Sequence, residues 1–162
     1  LVRAPIVGGM EVGGYLPPAN IVFDKPGISP DFTEAHLDPA ADRHLADSIF
    51  HSDLVITWAS TMILDAIVFG KPVVLVGFDA SPRPYGMSIT QYYDYDHQRR
   101  IVDLGGARLA ESAGELLNWV GRYLADPDLD SANRRKVASE YCFKLDGRSG
   151  QRLGNFLLKF LR

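Results

Sequence analysis

The chain has 162 residues, enough for one domain with a buried core and little more. Hydrophobic residues make up 46% and charged residues 23%, which excludes a disordered or fibrous chain. A net charge of -3 excludes the broad basic surface that polymeric nucleic acid needs, despite the local cluster Arg134, Arg135 and Lys136.

Apolar, β-branched runs alternate with segments of helical period, the pattern of a parallel sheet covered by helices. Residues 1–7 and 21–23 read as strands, separated by the Gly- and Pro-rich loop GGMEVGGYLPP. Asp38 and Pro39 form an N-cap followed by proline at the first helical position, which predicts a helix to about His51. A strand over 54–57 then leads into a helix over 62–69, stopped by Gly70 and Pro72, and a buried strand follows over 73–76. After a loop holding Pro82, Pro84 and Gly86, residues 91–104 read as one helix ending at Gly105 and Gly106. A short strand over 107–109 precedes Ser112 and Glu115, the S-x-x-E capping box of a helix through Leu124. Helices over 131–141 and 149–161, joined by the Asp146-Gly147 turn, complete the reading. The expected fold is α/β: a Rossmann-like, doubly wound, mostly parallel sheet with helices on both faces, ending in C-terminal helices, as a single domain over 1–162.

Open parallel sheets bind ligands beyond the carboxyl ends of their strands, which points to the junction after Thr57. A helix N-terminus there offers free N–H groups, and Ser60 and Thr61 add hydroxyls on small side chains that admit a diphosphate. Asp65, four residues after Thr61 on the same helix face, is suited to accept hydrogen bonds from sugar or polyol hydroxyls. The plainer reading stays open, with Ser60 as an N-cap and Asp65 as a solvated acid. In the next loop, Arg83 is suited to pair a phosphate and Tyr85 to stack on a base or sugar, although an exposed proline-rich connection explains the same residues. Trp58 reads either as a stacking wall or as a core aromatic at a strand end. His97, among Asp94, Asp96, Arg99 and Arg100, reads as part of a solvated helix face. His36, His44, His51 and His97 lack close metal-ligand spacing, so neither a metal nor another cofactor is expected.

The segment 53–79 resembles the donor domain of two-Rossmann-domain (GT-B) glycosyltransferases, most closely the CDP-glycerol glycerophosphotransferase family. The resemblance rests on the strand 54–57, Ser60 with Thr61, Asp65, Lys71 with Pro72, and Asp79. Phe143, Asp146, Gly147, Ser149 and Arg152 also look like that family's closing F-x-x-D-G-x-[AS]-x-x-R signature. Trp58 and Ala59 stand where the family has an acid and an aromatic, and Arg3-Ala4-Pro5 stands where it has R-x-H-P.

The resemblance implies a domain that binds a nucleoside-diphosphate-activated sugar or glycerol donor in surface-polymer synthesis, with Trp58, Ser60, Thr61, Asp65, Arg83 and Tyr85 at the donor. No catalytic residue is assigned. Because the sequence opens inside an apolar run, it is expected to be a fragment of a two-domain protein without the N-terminal acceptor domain, and the isolated chain is expected to be inactive. Two alternatives are a nucleotide-sugar epimerase of the UDP-N-acetylglucosamine 2-epimerase type and a non-catalytic remnant serving as an interaction module. The single Cys142 excludes an internal disulfide and fits a reducing compartment, so a cytoplasmic location is expected. No apolar run reaches the roughly 20 residues of a membrane span, and at most peripheral association at the inner membrane face, through the parent protein, is expected.

Overall fold

A computed structural model describes residues 2–3, 18–24 and 39–161. It falls into two compact units, Leu1–Ser48 and Ile49–Arg162. In the first unit, β1 (Val2–Arg3) and β2 (Phe23–Asp24) pair in parallel, with Val2 opposite Phe23 and Arg3 opposite Asp24. The rest of the strand expected over 1–7, most of the loop after it and the Asp38 cap lie outside the described residues. The helix α1 (Pro39–Phe50) starts at the expected proline, and its His44 Nε2 lies 3.1 Å from Asp24 Oδ1.

The second unit is α/β, with a three-strand parallel sheet and several helices. Its strands are β3 (Val55–Thr57), β4 (Val73–Val76) and β5 (Arg108–Ala110), in the order β3-β4-β5 with β4 central. The register pairs Ile56 with Val74 and Leu75 with Leu109. Successive strand residues point to opposite faces, and Val73, Val74 and Leu75 are all fully buried, so both faces of β4 are covered.

Between β3 and β4 runs α2 (Met62–Val68), two turns long, whose Ile63, Ala66 and Ile67 are buried. Gly70, at φ +72°, takes the left-handed conformation that ends it, and Lys71 N–H bonds back to the Ala66 carbonyl. Beyond β5, α4 (Ala113–Ala125) packs on β4 and β5, where Val74, Ala110 and Tyr123 form a core with Leu116, Trp119 and Val120 against it. Ser112 Oγ accepts from Glu115 N–H, while the Glu115 carboxylate reaches back to Glu111 N–H rather than to Ser112. This capping box is therefore closed one residue early. Next, α5 (Ser131–Cys142) packs on α2, and α6 (Ser149–Leu157) is the last helix.

The segment 91–104 is not one helix. Residues Ile89–Asp94 form a tight 3-10 segment, Tyr95 is extended, and α3 covers Asp96–Asp103. The cause is tertiary: the Tyr93 hydroxyl donates to the Val76 carbonyl at 2.7 Å, and a regular α-helix through 93 would carry that ring away from the sheet.

Candidate functional site at the carboxyl end of the sheet

The carboxyl ends of β3 and β4 lead into the loops that hold most of the expected site residues. Tyr93 joins these loops. Its hydroxyl accepts from Ala59 N–H after β3 and donates to the Val76 carbonyl at the end of β4, and burial raises its pKa well above the usual phenol range. Trp58, half exposed, meets Tyr92 edge to face at 6.3 Å. Past the 3-10 segment, the Tyr92 ring meets Tyr95 at 6.2 Å with the two planes tilted by 60°, and Tyr95 lies parallel to the His97 ring at 5.9 Å. A row of accessible rings thus borders the end of the sheet.

The hydroxyl pair at the start of α2 divides its roles. Ser60 Oγ accepts from Met62 N–H at 3.3 Å and so acts as a cap, which leaves its hydrogen to offer a ligand. Thr61 is exposed and its side chain makes no capping bond. Asp65 is not joined to either of them: it lies on the side of α2 near Cys142, whose thiol its charge helps to raise after burial. Burial also raises the pKa of Asp65 itself, and among the described residues no hydrogen bond holds its carboxylate.

Asp65 therefore yields a signed prediction. A carboxyl whose folded pKa lies above its unfolded value favours the fold below that unfolded value and loses the contribution as pH rises through the folded pKa. Asp65→Asn is expected to raise Tm by about 2 °C at neutral pH, a small effect because the residue keeps an exposed face. The gain should vanish at a pH below the ordinary carboxyl value. Melting curves at the two pH values check this, and a destabilised amide variant would overturn it.

Asp79, at the end of the β4 loop, is turned to structure. The Ser88 hydroxyl foremost, then Ile89 N–H at 3.2 Å and the nearby Arg83 charge, lower its pKa, so this acid anchors the start of the 3-10 segment. Arg83 is exposed and within electrostatic reach of it. Tyr85 is exposed too, but its hydroxyl donates to Asp94, which also takes Arg99 Nη2 at 2.9 Å. Its ring is thus held in place, and only its face is free to stack. Gly77 sits where β4 leaves the sheet, and a Cβ there would come within 2.5 Å of Leu109 Cδ1 and 3.0 Å of the Ala110 carbonyl, so only glycine lets the chain pass.

No family, curated protein or solved structure matches the chain.

The closing signature lies elsewhere and has a local explanation. Arg152 Nη1 spans both Asp146 oxygens at 2.7 and 2.8 Å, its Nη2 reaches Ser149 Oγ at 3.1 Å, and its guanidinium sits 5.9 Å from the Phe143 ring. Gly147 takes φ +68° and Arg148 N–H bonds to Asp146. These residues bind one another and start α6. A cavity of about 500 Å³ lies between α2 and α5, lined by Ile67, Val68, Arg135 and Phe143 among others. The buried Arg134 beside it gives Nη1 and Nη2 to the Leu129 and Pro127 carbonyls, so that cation ties down the chain. Among the described residues no group of acids, histidines and cysteines could hold a metal ion, and no helix is long and apolar enough to cross a membrane.

Sequence reasoning missed Tyr92, Tyr93 and Tyr95. A signal was present in Y-Y-D-Y, three tyrosines within four residues.

Proposed function

We propose that the second unit binds a nucleoside-diphosphate donor of the sugar or glycerol type, as the donor half of a GT-B transferase resembling the CDP-glycerol glycerophosphotransferases. In this reading its sheet is the core of a Rossmann-like, doubly wound domain, which the burial of β4 on both faces supports. The observation that carries the proposal is the Tyr93 tie, which gathers the loops after β3 and β4 at the carboxyl end of a parallel sheet beside exposed aromatic faces.

The base stacks on Trp58, Tyr92 or Tyr85. Thr61 and the free hydrogen of Ser60 donate to the diphosphate, with Arg83 offsetting its charge. Asp65, one turn along, accepts from hydroxyls of the ribose or the transferred polyol. In the parent reaction an acceptor hydroxyl attacks the transferred group and CMP or UDP leaves.

Calorimetry with CDP-glycerol, UDP-sugars and GDP-sugars tests this. One nucleotide class is expected to bind, and Trp58→Ala to weaken it about tenfold, the value of one stacked base. Trp58 fluorescence should report the same titration. Silence across the whole panel would sink the donor reading and favour a non-catalytic interaction module.

A further inference from the structure

All 20 acidic residues of the chain precede Gly147, whereas Arg148, Arg152, Lys159 and Arg162 follow it. The segment from Arg148 onward is therefore purely cationic in a chain that is acidic overall. Within it, Leu153, Phe156, Leu157, Phe160 and Leu161 recur at i, i+3, i+4, i+7 and i+8, the stripe of an amphipathic helix. After α6 the path continues to Phe160 in a tightened turn, with Lys159 N–H bonded to the Phe156 carbonyl and Phe160 N–H to the Leu157 carbonyl. Every residue of the stripe stays at least 51% exposed, and Phe156 and Phe160 meet edge to face at 5.0 Å. Arg148, Arg152 and Lys159 are spaced by four and seven residues, so they share one flank of this face.

We propose that α6 and the turn after it bind an anionic lipid surface. The helix lies in the plane of the interface, with its leucines and phenylalanines at the boundary of headgroups and acyl chains. The basic flank reaches the lipid phosphates. Charge complementarity selects this occupant: a face of five large apolar side chains, flanked by cations and free of any acid, matches a layer that is apolar below and anionic above. The nine residues of α6 are too few to span a bilayer, so the helix lies on the membrane. Arg152 is already shared with Asp146, which leaves Arg148 and Lys159 as the principal lipid contacts. The inference is independent of donor binding.

Co-sedimentation of the full chain with phosphatidylcholine vesicles, with and without phosphatidylglycerol, tests the proposal. The chain is expected to sediment with the anionic vesicles only, and less at high salt. Lys159→Gln should weaken binding roughly fivefold, and Phe156→Asp with Phe160→Asp should reduce it at least tenfold. These side chains are exposed, so circular dichroism should show the fold unchanged. Absence of sedimentation, equal binding to both vesicle types, or equal binding by the double variant would overturn it. So would concentration-dependent self-association that the double variant abolishes, because the face would then belong to a second copy.

Discussion

Asp130→Ala is expected to destabilise the second unit by about 3 kcal/mol, a fall in Tm of roughly 10 °C. The Asp130 carboxylate, 9% exposed, receives Arg108 Nε at 2.8 Å, Arg108 Nη2 at 2.6 Å and the Tyr123 hydroxyl at 2.9 Å. These partners come from β5 and α4, while Asp130 itself begins α5, so one carboxylate joins three elements. Its removal strands a partly buried guanidinium and a buried phenol, and the cost of an unpaired group exceeds the net worth of the bond. Asp130 also sits at φ +63°, which alanine tolerates poorly and asparagine well. Asp130→Asn should therefore cost less, which separates the lost charge from the backbone strain.

The same network sets a pH dependence. The Arg108 hydrogen bonds, above all, hold the Asp130 carboxyl below its ordinary value of 3.8. A depressed folded pKa contributes stability that is complete above the unfolded value and is lost as pH falls through the folded one. Wild type should lose stability below about pH 4 more steeply than Asp130→Asn. Tyr123 acts at the other end, its pKa pushed up to about 12, chiefly by burial, so its neutral form favours the fold until alkaline pH. Guanidinium melts from acid to neutral pH measure the first effect. If Asp130→Ala melts within 2 °C of wild type, the network does not carry this weight.

Elements whose cause is local were legible in the sequence. The run 73–76 is β4 because four apolar residues in succession suit a strand buried on both faces. Gly70 and Gly147 take the left-handed conformations expected of a helix stop and a turn, and Ser112 caps α4 as the S-x-x-E spacing implies. The expected strand at 107–109 is shifted by one residue, to Arg108–Ala110. The expected helix at 149–161 is regular only to Leu157, where among the described residues none buries its apolar face to hold the last turn.

What stayed hidden depends on contacts between distant residues. Asp79 is one of the residues that carry the resemblance, yet its carboxylate is occupied by Ser88 and Ile89, nine and ten residues on. Tyr85 reads as a free stacking ring, yet its hydroxyl is fixed on Asp94. Arg108, Tyr123 and Asp130 give no pattern along the chain, since they sit on three different elements and only the fold brings them together. Of the hydroxyl residues, Ser60 fulfils the plain expectation of a cap, and Thr61 stays accessible.

Tyr93→Phe is expected to have the second-largest effect, about 2 kcal/mol, and to act on the candidate site as well as on the fold. The ring remains and keeps its buried place, so packing is conserved and only the hydroxyl is lost. That one atom holds Ala59 N–H and the Val76 carbonyl together, and without it the loops after β3 and β4 lose their common anchor. Hydrogen exchange at the Ala59 amide should accelerate at least tenfold, while Gly77 N–H, bonded to the Ala110 carbonyl at 2.8 Å, should change only through the global loss of stability. Tyr92→Phe, which removes a hydroxyl from an exposed ring on the same segment, serves as the control and should leave both amides unaffected. If a donor binds where these loops meet, Tyr93→Phe should also weaken it, although its side chain is too buried to touch a ligand directly. Unchanged exchange at Ala59 would show that the loops are held by their aromatic contacts, Trp58 on Tyr92 foremost, and not by the hydroxyl.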